Sequence, residues 1–90
     1  MTPIPLTDGR WSVKVPADWL GFTGHFPGNP ILPAAMLIDL ALRIAGSAPG
    51  IRKARFPAPV RPGDSLILSL SDRTVTISSG NGVVAEIRLN

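Results

Sequence analysis

The chain has 90 residues, of which 44% are hydrophobic, and nine Lys and Arg against six Asp and Glu give a formal net charge of +3. It has no cysteine, which excludes disulfides, a thiolate nucleophile and zinc sites built on sulfur. The cations are not interleaved with stacking aromatic residues, so we expect no nucleic-acid partner.

The N-terminal third of the chain predicts one strand followed by a loop. Residues 1–5 lack the basic start and apolar core of a signal peptide, so we expect a cytoplasmic protein. Residues 11–15 alternate apolar and polar side chains, which is the pattern of a half-buried strand. Residues 17–33 are rich in proline and glycine and predict a loop.

An apolar helix is predicted over residues 34–45. Pro33 suits its first position, and Gly46 is placed to end it. Ten of these twelve residues are apolar, so we expect the helix to be covered on most sides. The apolar run is shorter than the ~20 residues that span a bilayer, so no membrane span is expected.

The second half of the chain predicts four strands joined by turns. The predicted strands are residues 51–56, 66–70, 74–78 and 83–89. The predicted turns are residues 61–64, 72–73 and 79–82. The prolines of residues 57–62 predict an edge or bulged extension of the first of these strands. One strand, a helix and a four-strand meander predict a single α+β domain over residues 1–90, with a curved antiparallel sheet around a central helix. Because so small a domain buries only about 60% of its unfolded surface, we expect it to associate with another subunit.

The only histidine of the chain, His25, lies in the loop before the predicted helix. The helix itself carries one acid, Asp39, among Ala, Leu, Ile and Met residues. A histidine and a carboxylate in apolar surroundings are typical partners in acid–base chemistry. Two plainer alternatives remain open. The first is that His25 has only a structural role in the loop. The second is that Asp39 forms an ordinary helix ion pair with Arg43, four residues on.

Two further groups of residues are candidates for binding negative charge. The N–H groups of Ala34 and Ala35, in the first turn of the helix, have no intrahelical acceptor and can stabilise an anion. Alternatively, both alanines serve only as small packing residues. One local cluster of cations is either a solvated strand face or a docking patch for an acidic partner. Its members are Arg52, Lys53, Arg55 and Arg61.

Two stretches resemble the β-hydroxyacyl-[acyl-carrier-protein] dehydratases of the FabA and FabZ type. The first is GHFPGNPILP at residues 24–33, with Asp39 fourteen residues after His25. The second is Phe56 with PVRPGD at residues 59–64. Two positions depart from the family pattern: Ala34 stands where glycine is usual, and Arg43 where glutamine is common.

The resemblance implies a hotdog fold that dimerises, as a homodimer or as a heterodimer with a related hotdog subunit. Each site would take its histidine from one subunit and its carboxylate from the other. The substrate would be a 3-hydroxyacyl thioester on the phosphopantetheine of an acyl carrier protein, dehydrated to the trans-2-enoyl thioester. Fatty-acid, polyketide or aryl-polyene-type biosynthesis would use this reaction, and neither a metal nor an organic cofactor is implied.

The resemblance also assigns roles to individual residues. His25 would accept the C2 proton, and Asp39 would protonate the leaving hydroxyl or bind water. The backbones of Ala34, Ala35 and Gly28 would hold the thioester oxygen. If the acidic partner is a carrier protein, the cluster of Arg52, Lys53, Arg55 and Arg61 is a candidate docking site for it, and the solvated strand face remains the alternative. The alternatives are an acyl thioesterase of the same fold and a non-catalytic subunit that binds an acyl group or a carrier protein.

Overall fold

The computed structural model describes residues 1–18, 31–46 and 50–90. These residues form one helix and a six-stranded antiparallel sheet. The helix, α1, spans Ala34–Ala45. The strands are β1 (Ile4–Pro5), β2 (Arg10–Lys14), β3 (Ile51–Arg55), β4 (Ser65–Ser71), β5 (Thr74–Ser79) and β6 (Gly82–Leu89). Their order across the sheet is β1-β2-β4-β5-β6-β3.

The helix has the predicted bounds, but its first turn differs in detail. Pro33 has φ −60° and ψ 143°, so it precedes α1 as an extended residue instead of occupying the first helical position. The N–H of Met36 donates to the carbonyl of Pro33 (3.0 Å) and closes the first turn. At the other end, Gly46 has φ 77°, a conformation that glycine adopts at little cost, and the helix ends there as predicted.

The strands β4, β5 and β6 form the predicted meander. Asp72 and Arg73 join β4 to β5 with φ values of 49° and 60°, as a two-residue type I′ turn requires. A second two-residue connection, residues 80–81, joins β5 to β6. A hairpin between β1 and β2 was not predicted, although Asp8-Gly9 is a strong hairpin signal; both residues have positive φ.

The prediction that β3 belongs to this meander was wrong. β3 pairs with β6 at the far edge of the sheet, and β4 pairs with β2 instead. The predicted extension of β3 over residues 57–62 is also not a strand. Residues 56–64 connect β3 to β4, too many for a tight hairpin, and their prolines cannot donate ladder hydrogen bonds. This connection therefore passes β6 and β5 in the strand order to reach β4.

The core lies between α1 and one face of the sheet. The fully buried side chains on that face come from β4, β5 and β6; they are Leu66, Leu68, Val75, Ile77 and Ile87. The helix contributes Leu37, Leu40 and Ala41, which are also buried. Burying such an aliphatic side chain contributes about 1.5–3 kcal/mol relative to leaving it exposed.

Cover on α1 is uneven in the described part of this single chain. Ala34 and Ala35 are exposed, and Ile38 and Leu42 are only half-buried. The sheet packs against the side of the helix that carries Leu37, Leu40 and Ala41.

Candidate active site

The segment before α1 and the loop after β3 meet at an apolar cavity of about 260 Å³. The N–H of Leu32 donates to the carbonyl of Val60 (2.7 Å) and fastens the two together. The cavity is lined by Ile31, Leu32, Ala34, Leu37, Phe56, Pro57, Ala58, Pro59 and Val60. The described end of the first stretch that carries the resemblance, residues 31–33, and the second stretch are therefore neighbours in space.

The first turn of α1 presents backbone donors beside this cavity. Neither Ala34 nor Ala35 has an N–H acceptor among the described residues, whereas the N–H of Met36 is already bonded. Both alanines are exposed, and Ala34 lines the cavity. The positive end of the helix dipole adds to the donors. This turn therefore has the local geometry that stabilises a negatively charged oxygen.

Asp39 lies on the side of α1 that faces away from the sheet. The buried residues Leu37, Leu40 and Ala41 define the side that packs on the sheet, and at 100° per residue Ala35 and Asp39 fall on the opposite side. Asp39 follows Ala35 by one helical turn, about 6 Å along the axis. A carboxylate and a free backbone donor thus share one helix face at a distance that a small substrate can bridge.

Asp39 forms the ion pair that its spacing predicts. Arg43 Nε lies 3.0 Å from Asp39 Oδ2, and the side chains are 51% and 47% exposed. Arg43 Nη1 also donates to the carbonyl of Met1 (3.0 Å). The guanidinium of Arg43 therefore contacts both the Asp39 carboxylate and the backbone of Met1.

Two predicted site residues, His25 and Gly28, lie outside the described residues. Of the predicted catalytic and backbone groups, the structure thus describes Ala34, Ala35 and Asp39, and it brings all three to the first two turns of α1. Among the described residues, no group of three His, Cys, Asp or Glu side chains is arranged to hold a metal ion. In the same ranges, no helix has the length and apolar character needed to cross a membrane.

The predicted cluster of cations is divided between two places. Arg52, Lys53 and Arg55 lie on β3, and Arg55 pairs with Glu86 of β6 (2.9 Å). Arg61 lies in a turn that is hydrogen-bonded to Val15, the residue after β2. In the strand order, β2 is near the edge of the sheet opposite to β3. That turn is the predicted one over residues 61–64: the N–H of Asp64 donates to the carbonyl of Arg61 (3.1 Å).

Sequence reasoning missed two cations that the fold adds to those on β3. Arg88 of β6 is directly opposite Lys53 in the ladder, and Arg73 is in the β4–β5 turn. Two open cavities adjoin here. One, of about 340 Å³, is lined by Lys53, Arg55, Thr74, Glu86 and Arg88. The other, of about 250 Å³, is lined by Arg52, Asp72, Arg73, Arg88 and Leu89.

The model of the ApeI-like family, described as ApeI dehydratase, matches residues 7–83. The chain belongs to the ApeI-like dehydratase family. The predicted resemblance is thereby confirmed, and the matched range of this ApeI-like chain includes both stretches that carry it, as well as His25 and Asp39.

Curated relatives of the ApeI-like chain are 3-hydroxyacyl-[acyl-carrier-protein] dehydratases named FabZ. The protein from Caldanaerobacter subterraneus subsp. tengcongensis is 41% identical over 76% of this chain and 60% of its own length. The one from Enterococcus faecalis is 38% identical over 68% of this chain and 53% of its own length. The ApeI-like chain therefore spans 60% or less of the length of these two relatives.

Solved structures confirm the hotdog fold of the ApeI-like chain. A chain of the dehydratase heterocomplex ApeI:P from Xenorhabdus doucetiae matches with a TM-score of 0.74 at 21% identity, over 100% of this chain and 97% of that chain. An uncharacterized protein from Erwinia carotovora subsp. atroseptica matches with a TM-score of 0.67 at 23% identity, with the same coverage. At these identities the likeness concerns the fold.

Proposed function

We propose that this chain is a dehydratase that converts a 3-hydroxyacyl thioester, carried on the phosphopantetheine of an acyl carrier protein, into the trans-2-enoyl thioester. Fatty-acid, polyketide or aryl-polyene-type biosynthesis would use this product. The observation that carries the proposal is the placement of Asp39 one turn beyond the free N–H groups of Ala34 and Ala35, on a helix that begins at an apolar cavity. Membership of the ApeI-like dehydratase family supports it.

The reaction assigns one task to each group. The neutral imidazole of His25 takes the proton from C2, and the electrons of that bond form the C2–C3 double bond. The bond between C3 and its hydroxyl breaks as the hydroxyl takes a proton, either from Asp39 or from a water bound by the Asp39 carboxylate, and leaves as water. The proton held by His25 then restores the donor. The N–H groups of Ala34 and Ala35, with the backbone of Gly28, stabilise the charge on the thioester oxygen. These groups suffice without a metal or an organic cofactor.

The site is proposed to be shared between two hotdog subunits. Asp39 lies on the side of α1 that the chain's own sheet leaves uncovered, and it is half-exposed there. A second subunit on this side would exclude water from the carboxylate and add the histidine of its own loop. The partner is a second copy of this chain or a related hotdog subunit. The second possibility is supported by the heterocomplex whose fold this chain shares.

The carrier protein is proposed to dock on the basic face of the sheet, defined as Arg52, Lys53, Arg73 and Arg88 with the adjoining Arg55. The first four have no ion-pair partner among the described residues. Like charges directly opposite one another, as in Lys53 and Arg88, destabilise a ladder. An acidic partner would relieve this repulsion. Arg61 lies apart from this face and is not included.

The proposal is tested by mass spectrometry of 3-hydroxyacyl carrier protein incubated with the purified protein. The expected product is the carrier-bound thioester less one water. His25→Ala and Asp39→Asn are each expected to lower the rate by at least about 100-fold, since each removes a proton-transfer group. Asp8→Asn, in the exposed β1–β2 turn, serves as the matched control.

Other products would point elsewhere. Release of the free acyl acid would identify a thioesterase in place of a dehydratase. Turnover that starts only when a related hotdog subunit is added would indicate that this chain completes a site in a heterodimer. Dehydration at the wild-type rate by Asp39→Asn would remove Asp39 from the mechanism.

A further inference from the structure

We infer that Arg43 is a positioning residue for Asp39: by its contact with Oδ2 it holds the carboxylate in one orientation toward the substrate. This inference rests on the proposed dehydratase function. It assigns a task to the position at which this chain has arginine where glutamine is common in the family it resembles.

The contacts of Arg43 hold its guanidinium at two points. Nε lies 3.0 Å from Asp39 Oδ2, and Nη1 donates to the carbonyl of Met1 at 3.0 Å. Met1 itself packs against the hydrophobic core. The guanidinium is planar, so two contacts from different nitrogens determine its orientation. Arg43 is therefore anchored to the body of the domain and not only to its own helix.

An anchored guanidinium restrains the carboxylate that it contacts. With Oδ2 engaged, rotation of the Asp39 side chain would break a charge-assisted hydrogen bond. The carboxylate thus keeps one orientation toward a substrate hydroxyl or a water. Catalytic groups lose about 100-fold in rate when misplaced by about 1 Å. A restraint of this kind therefore acts on turnover more than on substrate affinity.

The plainer interpretation is an exposed i, i+4 ion pair, which contributes little to stability. The two interpretations differ in what they predict. A merely structural pair would leave turnover unchanged when the arginine is removed. A positioning pair would lower kcat, and it would do so only when Asp39 is present. A second subunit over this side of α1 would also shield the pair from water and strengthen it.

The test compares the steady-state kinetics of Arg43→Met and Arg43→Lys with those of the wild type on a 3-hydroxyacyl thioester. Arg43→Met is expected to lower kcat by about 10- to 100-fold with KM nearly unchanged, since it removes only the restraint. Arg43→Lys, which keeps the charge, should recover part of the loss. Lys14→Met removes a different surface contact, from Nζ to the carbonyl of Gly63 (2.7 Å), and should leave kcat unchanged.

The Asp39→Asn background separates a positioning role from a direct one. In that background Arg43→Met should cause no further loss of the residual rate. A further loss would mean that Arg43 acts on the substrate itself and would overturn the inference, as would a wild-type kcat for Arg43→Met.

If the wild type dehydrates no thioester, the proposed function fails. The inference is then tested separately by comparing crystal structures of the wild type and Arg43→Met. Displacement of the Asp39 carboxylate in Arg43→Met would support it, and an unmoved carboxylate would overturn it.

Discussion

Leu40 packs helix α1 against the sheet. It is 1% exposed and ranks among the largest fully buried side chains. Leu40→Ala removes three carbon atoms from the core and leaves a cavity, so we expect a loss of about 2–5 kcal/mol in the free energy of unfolding. Urea denaturation at a fixed protein concentration measures it.

Leu6 provides the control for this prediction because it is 46% exposed. Leu6→Ala should change the free energy of unfolding by no more than about 0.5 kcal/mol. Equal losses for the two variants would mean that α1 does not pack as described.

Arg73 combines backbone strain with a position on the basic face. Its φ of 60° is left-handed, which costs an L-residue about 1–2 kcal/mol. Arg73→Gly is expected to recover about 1 kcal/mol of stability in thermal unfolding and, at the same time, to weaken carrier-protein binding. A destabilised variant would contradict the strain argument.

Gly63→Ala is expected to have the opposite effect on stability. It should lower the free energy of unfolding by about 1 kcal/mol because Gly63 has φ 84°.

Individual residues were predictable where the relevant contact is local. The Asp39–Arg43 pair follows from helical spacing, and the free N–H groups of Ala34 and Ala35 follow from their place in the first turn. The basic face was only partly predictable. The position of Arg88 beside Lys53 depends on which strand pairs with β3, and side-chain alternation along either strand contains no information about that choice.

Among the elements, the signals that succeeded were turn and cap residues. Gly46 marks the helix end, and Asp72-Arg73 marks the β4–β5 hairpin. The Asp8-Gly9 signal was available and was overlooked. The edge position of β3 could not be derived, because it requires a long-range pairing with β6 instead of the strand that follows in sequence. The order of strands thus came from the structure, whereas the type of each element came largely from local pattern.

The basic face supplies a prediction about docking of the carrier protein. Lys53→Glu and Arg88→Glu should each weaken binding of the acyl carrier protein by about 10-fold, because each replaces attraction by repulsion at the interface. Raising the ionic strength should weaken wild-type binding in the same direction. Fluorescence anisotropy of a labelled carrier protein measures both effects.

Arg10→Glu is the matched control for charge reversal on this face. Arg10 lies on β2, in the ladder row that runs through Ser69, Thr76 and Glu86 to Arg55. It is exposed, and it lies four strands away from Arg55 and the other residues of the basic face on β3. Its reversal should leave carrier affinity near the wild-type value. An equal loss of carrier affinity for Arg10→Glu would mean that the loss depends only on the net charge of the protein. It would remove the docking surface from the proposal.

At the level of the whole molecule, shared sites predict complementation between two inactive variants. A dimer of one His25→Ala subunit and one Asp39→Asn subunit contains one site in which both groups are intact. Random exchange of subunits should therefore restore roughly a quarter of the wild-type rate, since half of the dimers are mixed and each has one of two sites. If mixed dimers form, as native mass spectrometry would show, and yet no activity returns, each site is confined to a single subunit.

The two edges of the sheet are unequal, and this limits how the molecule can polymerise. At one edge, β1 has two residues, one of which is Pro5, with no N–H to offer to a further strand. At the other edge, β3 has five residues and no neighbour beyond it among the described strands. Any continuation of the sheet therefore starts at β3. Two copies joined there present only their proline-bearing edges outward, so growth stops at a pair instead of propagating into a fibre.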